Sequence, residues 1–186
     1  MKHLLESNNM LVKKIINGSL EENCYILIKN EYVLIIDPGS SFNEIEKIIG
    51  DRTVLAVLIT HYHFDHIGAL DEVKKYYDVK EINFKSQKKQ KIGPFEFDII
   101  KTPGHKNDSV TYYFKNDKIM FTGDFLFKNS IGRCDMEEGN IFKMMESIKN
   151  IRKYNGNIVI YPGHGEESTL EDEFKYNPYL KGELYE

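Results

Sequence analysis

The chain has 186 residues, of which 41% are hydrophobic and 29% charged, and its formal net charge is −4. These values are typical of an ordinary globular protein. The length fits a single domain over residues 1–186, large enough to bury a stable core without disulfides or structural metals. The negative charge gives no general attraction to nucleic acid or to anionic membranes, so neither is expected as a partner.

Cysteine usage and hydropathy indicate a cytoplasmic protein. Cys24 and Cys134 are far apart and form no CxxC pair, which suits a reducing compartment. Residues 1–16 lack the continuous apolar stretch of a secretion signal. The longest internal apolar run, Val54–Ile59, is far shorter than the ~20 residues that a membrane span needs.

The first half of the chain is predicted to form strands and then a strand–helix unit. Segments rich in β-branched and aromatic residues predict the strands, and Asp37-Pro38-Gly39 predicts a turn after the third of them. Apolar residues at helical spacing predict the helices. The predicted strands are Leu11–Ile16, Cys24–Lys29, Tyr32–Ile36 and Val54–Ile59, and the predicted helices are Phe42–Ile49 and Phe64–Tyr77.

The second half repeats this order, with several strands before another helix and strand. The predicted strands are Glu81–Phe84, Phe95–Lys101, Val110–Phe114, Lys118–Phe121 and Asn157–Tyr161, and the predicted helices are Ile141–Tyr154 and Thr169–Tyr176. Strands in two groups, each followed by helix and strand, indicate two sheets of mixed order with helices packed outside. The expected fold class is therefore an α/β sandwich.

Five of the six histidines and two aspartates follow the ends of predicted strands. A His-x-His-x-Asp-His motif comes directly after Val54–Ile59, and three further residues each follow a later strand. Ligands in open α/β sheets bind at such strand ends. The candidate metal ligands are therefore His61, His63, Asp65, His66, His105, Asp124 and His164.

The spacing of the motif allows one turn of the chain to face two metals. His61 and His63 are two residues apart on an extended segment and can point the same way. Asp65 and His66 begin the following helix, where the chain has changed direction. Imidazole and carboxylate donors suit zinc, iron or manganese, and the lack of a cysteine among them argues against a closed structural zinc site.

Each residue taken alone also has an ordinary structural explanation. Asp65 could cap the following helix, Asp124 could serve a turn, and single histidines commonly lie in surface loops. Asp37 and Thr60 are candidates to fix the histidine rings by hydrogen bonds, and are explained equally well as a turn residue and a strand residue. Seven ligand-type residues at strand ends together favour the metal site.

The whole pattern resembles the metallo-β-lactamase superfamily, and the resemblance covers nearly the whole chain. It rests on the His-x-His-x-Asp-His motif, Thr102-Pro103-Gly104-His105, Thr122-Gly123-Asp124 and Pro162-Gly163-His164-Gly165. It implies an αββα four-layer sandwich with two divalent metal ions, zinc first and iron or manganese as alternatives, between the sheets. It also implies that His61, His63 and His105 hold one metal, that Asp65, His66 and His164 hold the other, and that Asp124 bridges both.

Within the superfamily, the chain is most similar to the short glyoxalase II-type hydrolases. Residues 130–135 resemble their Gly-Arg-x-Asp segment, and Asn177-Pro178 resembles their C-terminal tail. We expect no C-terminal helical domain of the kind that binds glutathione in full-length glyoxalase II. The resemblance implies a thioester hydrolase in which Arg133 contacts the thiol part of the substrate. Typical β-lactamases of this fold place a cysteine where Asp124 stands, which argues against an antibiotic-cleaving role.

The expected reaction is hydrolysis of a small-molecule thioester or ester. Two metals that share a water lower its pKa toward ~7, and the bridging hydroxide is the expected nucleophile, with Asp65 and Asp124 as the catalytic carboxylates. One alternative is an iron-dependent redox or dioxygenase enzyme of the same fold, which colour and element analysis would distinguish. Another is a non-catalytic partner-binding protein, against which the full ligand set argues.

Overall fold

The computed structural model describes residues 3–7 and 10–182, which are arranged in four layers. Two six-stranded sheets face each other across a shared apolar core, and helices pack on the outer face of each sheet. The predicted αββα sandwich is confirmed.

The first sheet is built by the first half of the chain. Its strands are β1 (His3–Ser7), β2 (Met10–Asn17), β3 (Glu22–Lys29), β4 (Tyr32–Ile36), β5 (Thr53–Leu58) and β6 (Lys80–Ile82), in that spatial order. β1 to β4 pair antiparallel, and β5 pairs parallel with both β4 and β6. The helices of this half are α1 (Phe42–Ile49), α2 (Phe64–Ile67) and α3 (Leu70–Tyr77).

The second half builds the second sheet and the remaining helices. Its strands are β7 (Lys89–Ile92), β8 (Phe95–Lys101), β9 (Val110–Phe114), β10 (Ile119–Gly123), β13 (Val159–Pro162) and β14 (Ser168–Thr169), in the order β14-β13-β10-β9-β8-β7. A separate hairpin joins β11 (Leu126–Phe127) and β12 (Ser130–Ile131), and the helices are α4 (Ile141–Ile151), α5 (Leu170–Tyr176) and α6 (Pro178–Lys181). No helix formed by the described residues is long and apolar enough to cross a bilayer.

Side-chain alternation along the strands produces the layers. In β3, Tyr25 and Leu27 face the core between the sheets, while Cys24 and Ile26 face the outer core beneath α1 and α3. Successive side chains of a strand point to opposite faces, so an apolar strand supplies both cores at once. The β3 strand is buried along almost its whole length, as expected for a strand covered on both sides.

The predicted single helix Phe64–Tyr77 is wrong in one respect, because the chain forms two helices with a break at Gly68 and Ala69. The turn after β4 packs against this break. The Ala69 amide donates to the Pro38 carbonyl at 2.9 Å instead of continuing the helix. A Cβ at Gly68 would lie 2.1 Å from the Gly39 carbonyl oxygen. The tertiary contact therefore interrupts a helix whose apolar periodicity continues through it.

Other elements match the predictions with shifted ends. The predicted strand Glu81–Phe84 is wrong at its end, since β6 stops at Ile82, where the Tyr112 hydroxyl donates to the Ile82 carbonyl at 2.8 Å. The short elements β7, β11, β12, β14 and α6 have two to four residues each and were not predicted. Segments this short carry too few residues for a period to be recognised.

Candidate metal centre

Seven side chains converge at the edge where β5, β8, β10 and β13 end. Their ligand atoms form two groups, and within each group all the atoms lie within 4.8 Å of one another. The first group is His61, His63, His105 and Asp124, and the second is Asp65, His66 and His164. The structure thus brings together every candidate ligand taken from the sequence.

In the first group, three ring nitrogens and one carboxylate oxygen face each other. His63 Nδ1 lies 3.1 Å from His61 Nε2 and 2.9 Å from His105 Nε2. Asp124 Oδ2 lies 3.5 Å from His105 Nε2 and 3.9 Å from His61 Nε2. His63 differs from the other histidines here, because it turns Nδ1 rather than Nε2 toward the group.

The second group shares Asp124 with the first. His164 Nε2 lies 3.2 Å from Asp65 Oδ2, and His66 Nε2 lies 3.7 Å from the same oxygen. The other oxygen of Asp124, Oδ1, lies 3.3 Å from His66 Nε2. Asp124 Oδ2 also lies 3.6 Å from His164 Nε2, so this one carboxylate adjoins the ligand atoms of both groups.

The hydrogen bonds behind the first-half rings direct their free nitrogens inward. Asp37 Oδ2 accepts the Thr60 hydroxyl proton at 2.5 Å, so Thr60 Oγ1 accepts from His61 Nδ1 at 3.1 Å. The same Asp37 oxygen accepts from His66 Nδ1 at 3.1 Å. Both rings thus carry their proton on Nδ1, which leaves an Nε2 lone pair facing the cluster.

Backbone carbonyls hold the rings that come from the second half. His105 Nδ1 donates to the Arg133 carbonyl at 2.8 Å, and His164 Nδ1 donates to the Leu20 carbonyl at 2.9 Å. These bonds fix the same tautomer as in the first half. Four imidazole lone pairs are therefore aimed at one small volume.

The donor atoms fit bound metal ions. Lone pairs that face each other at about 3 Å repel unless a cation lies among them. Ligands at the 2.0–2.1 Å zinc–nitrogen distance of a tetrahedral site are roughly 3.3 Å apart, close to the separations found here. His66 Nε2 and Asp124 Oδ1 are also buried without a hydrogen-bond partner, which is rare for polar atoms unless an ion or water satisfies them. The chain therefore carries a His/Asp metal-binding cluster.

Burial and charge set the protonation states of the cluster. Burial, together with the neighbouring His66, holds the pKa of His61 well below its usual value, which favours the neutral ring that a metal binds. Burial alone would raise the pKa of Asp124, but the adjacent His66 ring and the other nearby imidazoles more than offset this and lower it. Asp124 is therefore a carboxylate although its side chain is only 11% exposed.

Residues at the start of β3 support the loop that carries His164 and were missed by the sequence analysis. Asn23 Nδ2 donates to the carbonyls of Pro162 and Gly165, each at 3.0 Å. The backbone N–H of Asn23 donates to the Gly163 carbonyl at 2.7 Å. Tyr25 donates its hydroxyl proton to the Pro162 carbonyl at 2.6 Å. The available signal was Asn23 itself, a polar residue within an apolar strand, since buried polar residues need partners.

Glu22 is a second buried polar residue that the sequence analysis missed. Its Oε1 lies 3.9 Å from His66 Nδ1, and its Oε2 accepts a long hydrogen bond of 3.4 Å from Asn17. Burial raises the pKa of Glu22 to about 9. Glu22 is thus a neutral carboxylic acid behind the second group.

Two glycines allow the close approach of the elements that carry the ligands. A Cβ at Gly163 would lie 2.3 Å from Asp124 Oδ1 and 2.7 Å from the His66 ring. Gly123 has φ +50°, and a Cβ there would lie 2.4 Å from Thr60 Oγ1. A side chain at either position would displace the residues that orient the cluster.

Arg133 lies beside the cluster but its guanidinium is engaged elsewhere. The side chain is 65% exposed, and its Nε and Nη2 each donate to Asp135 at 2.8 Å. Arg133 also lines a cavity of about 500 Å³ that opens on His63, Asp65 and His164. Its role as a substrate contact stays a prediction.

Comparisons with known proteins agree with this site. The family model of the metallo-beta-lactamase superfamily matches residues 18–98 and 87–164. The chain is 32% identical to a probable metallo-hydrolase of Bacillus subtilis, across 89% of this chain and 95% of that protein. It is 28% identical to a hydroxyacylglutathione hydrolase of Haemophilus influenzae, across 87% of this chain and 94% of that protein. The crystal structure of the B3 metallo-beta-lactamase BLEG-1 superposes with a TM-score of 0.88 at 30% identity, covering 92% of this chain and all of that one.

Proposed function

The chain belongs to the metallo-beta-lactamase superfamily and is a metallo-hydrolase, and from this we propose that its substrates are small-molecule thioesters, as in glyoxalase II. The observation that carries the proposal is the position of Asp124, whose carboxylate lies 3.3 to 3.9 Å from ring nitrogens of both groups. The similarity to a hydroxyacylglutathione hydrolase supports the choice of thioesters.

In this proposal, the cluster holds two divalent ions, with zinc as the first choice. His61, His63 and His105 would hold one ion, Asp65, His66 and His164 would hold the other, and Asp124 would serve both. The uniform nitrogen and oxygen donor set supports zinc, and it also suits iron or manganese. Two free cysteines among the described residues support a reducing compartment such as the cytoplasm.

The two ions, when bound, supply Lewis acidity at the substrate carbonyl and lower the pKa of water in the site. The protein's own residues do the rest. Asp65 is 14% exposed at the cavity wall, where its carboxylate accepts a hydrogen bond from the attacking water and so orients it. Asp124 remains ionised and contributes negative charge between the two groups. These two carboxylates are the proposed catalytic residues.

No side-chain nucleophile is needed, because the thiolate of a thioester is a good leaving group. Cys134 is half-buried, donates to the Gly132 carbonyl, and is absent from the described cavity lining. We propose that Arg133 contacts the thiol part of the substrate by exchanging Asp135 for a substrate carboxylate. An exposed ion pair is screened by water and contributes little to stability, so this exchange costs little.

The similarity to BLEG-1 supports one competing function, hydrolysis of β-lactams, which needs the same activated water. A redox function with iron is a second competitor. Both are separated from thioester hydrolysis by measuring the metal and by including a β-lactam among the substrates.

The test begins with element analysis of the purified protein, followed by hydrolysis of a panel of acyl thioesters and one β-lactam. We expect close to two metal ions per chain and turnover of at least one thioester. Asp124→Ala and His63→Ala should lower kcat/KM by at least about 10³-fold, because a site with fewer ligands loses both metal and charge stabilisation.

Asp51→Ala, an exposed aspartate in the turn before β5, is the matched control and should keep full activity. Wild-type turnover in Asp124→Ala and His63→Ala would overturn the mechanism. Hydrolysis of the β-lactam with no thioester turnover would replace the proposed substrate class.

A further inference from the structure

The cavity beside the metal cluster has exposed apolar walls. Leu20, Phe64, Phe127 and Met136 line it together with the ligands. Leu20 is 51% exposed and Phe64 is 75% exposed, although both are large apolar side chains. Exposed apolar residues that gather around one cavity mark a ligand-binding surface more often than scattered ones do.

These apolar residues are not distributed evenly around the cluster. Leu20 adjoins His164, whose ring donates to its carbonyl, and the Phe127 ring lies 6.2 Å from the His164 ring. Phe64 lies in the chain between His63 and Asp65, one residue from each group. The apolar wall therefore begins at the second metal group and extends to the boundary with the first.

The cavity lining also contains one cationic side chain. Arg133, whose backbone carbonyl accepts from His105, is the only lysine or arginine in the described lining of the cavity. Nearby, Lys106 is paired with Asp108 at 3.3 Å and with Glu138 at 3.4 Å. A substrate would therefore find one cation to bind and several apolar side chains to lie against.

We propose that the physiological substrate is a thioester with an apolar acyl chain, which lies against Leu20, Phe64 and Phe127 while the thiol part extends toward Arg133. This inference rests on the proposed thioester hydrolysis and adds the class of acyl group. Water adds to the acyl carbon and the carbon–sulfur bond breaks, so the products are a carboxylate with an apolar tail, a thiol and one proton.

The size of the expected preference follows from the area that a chain can bury. A fully buried methylene contributes about 0.8 kcal/mol, which corresponds to roughly fourfold in kcat/KM. The wall is open to solvent, so about half of this is expected, or roughly twofold per methylene. Lengthening the acyl group from acetyl to hexanoyl adds four methylenes and should raise kcat/KM by about 15-fold.

The test compares acetyl, butyryl and hexanoyl thioesters of one thiol that carries a single carboxylate, on the metal-loaded protein. The ratio of hexanoyl to acetyl kcat/KM should be about 15 in the wild type and should fall at least threefold in Leu20→Ser and in Phe64→Ser. Phe142→Ser is the matched control, since Phe142 is 83% exposed near the start of α4 and lies outside the described cavity lining. Its ratio should equal that of the wild type.

A binding measurement keeps the inference separate from the reaction. Hexanoate and acetate, the acyl products, are titrated calorimetrically into the same metal-loaded protein, and hexanoate should bind about 15-fold tighter. Equal kcat/KM for all chain lengths, or equal binding of the two acids, would overturn the apolar acyl site even if thioesters are cleaved. Tighter binding of hexanoate without any thioester turnover would leave the apolar site standing and overturn the proposed function alone.

Discussion

The two halves of the molecule supply the metal cluster in different ways. The first half contributes four ligands within residues 61–66, directly after β5. The second half contributes three ligands from three separate strand ends, after β8, β10 and β13. The first set is a local motif, whereas the second becomes a set only because three strands end at the same edge of one sheet.

The outer contacts of the two halves also differ. Side chains hold the first-half rings, with Thr60 behind His61 and Asp37 behind His66. Backbone carbonyls hold the second-half rings, with Arg133 behind His105 and Leu20 behind His164. A side-chain partner can be removed by substitution, but a carbonyl partner is lost only if the backbone moves. The two halves should therefore respond differently to mutation.

The largest effect is expected for Asp37→Ala, which removes the side-chain support of the first half. Asp37 accepts hydrogen bonds from both Thr60 and His66, so its loss removes the contacts that orient the His66 ring directly and the His61 ring through Thr60. We expect a 10–100-fold loss in metal affinity, as is common when a partner behind a ligand is removed. Competition with a zinc chelator measures it.

Asp37→Asn is the matched variant for this position. Asp37 has φ +48°, a conformation that asparagine tolerates better than most residues, so the turn after β4 should be kept. Asn should retain part of the affinity, because its oxygen still accepts from one partner. Equal, unimpaired affinity in both variants would show that the rings of the first half need no side-chain support.

A smaller effect is expected for Asn23→Ala, which loosens the backbone support of the second half. Its side chain bonds the carbonyls of Pro162 and Gly165 on either side of His164. Each carbonyl would lose one donor but keep another, Tyr25 at Pro162 and Lys14 at Gly165, so each lost hydrogen bond costs about 0.5–1.5 kcal/mol. We expect the zinc content to fall toward one per chain, because only the second group contains His164, and element analysis after dialysis measures this.

Tyr25→Phe is the control for Asn23→Ala, because it removes one hydrogen bond to the same Pro162 carbonyl and leaves the loop's other bonds in place. It should lower the free energy of unfolding by about 1 kcal/mol and keep both metals. Loss of metal in Tyr25→Phe, with retention in Asn23→Ala, would contradict the assignment of Asn23 as the main support of the loop that carries His164.

The smallest effect on the metal site is expected for Glu22→Gln, which changes the stability of the metal-free protein instead. Burial raises the pKa of Glu22 to about 9 in the folded state, from an ordinary value of 4.5. Between these values the unfolded chain ionises Glu22 while the folded chain keeps the proton, so wild-type stability falls as pH rises through this window. Glutamine does not titrate and avoids this loss.

The gain should therefore be absent below pH 4.5 and present at pH 8, and each 1 kcal/mol of gain would raise the melting temperature by roughly 2–4 °C. Thermal unfolding in the presence of a chelator, at both pH values, measures it. A gain of equal size at the two pH values would assign the effect to packing rather than to ionisation.

The elements with strong local patterns could be predicted from the sequence. The spans of α1, β8 and β9 match their predictions, because their side-chain periods agree with their burial. The joined helix before Tyr77 was wrong because a contact from the distant Pro38-Gly39 turn breaks it. Asn23 and Tyr25 were missed for the same kind of reason, since their partners lie about 140 residues away.

The sequence by itself determined which residue types are available at the strand ends, because a histidine motif and alternating apolar strands are written in local order. Only the tertiary structure decided that Asp124 faces both groups, that His63 turns Nδ1 inward, and that Leu20 and Phe127 adjoin His164. These relations depend on how the two sheets pack and on which carbonyl each ring meets, and backbone carbonyls are the same in every residue. A local pattern can therefore name the ligands, but their orientation and the apolar wall beside them arise from long-range packing.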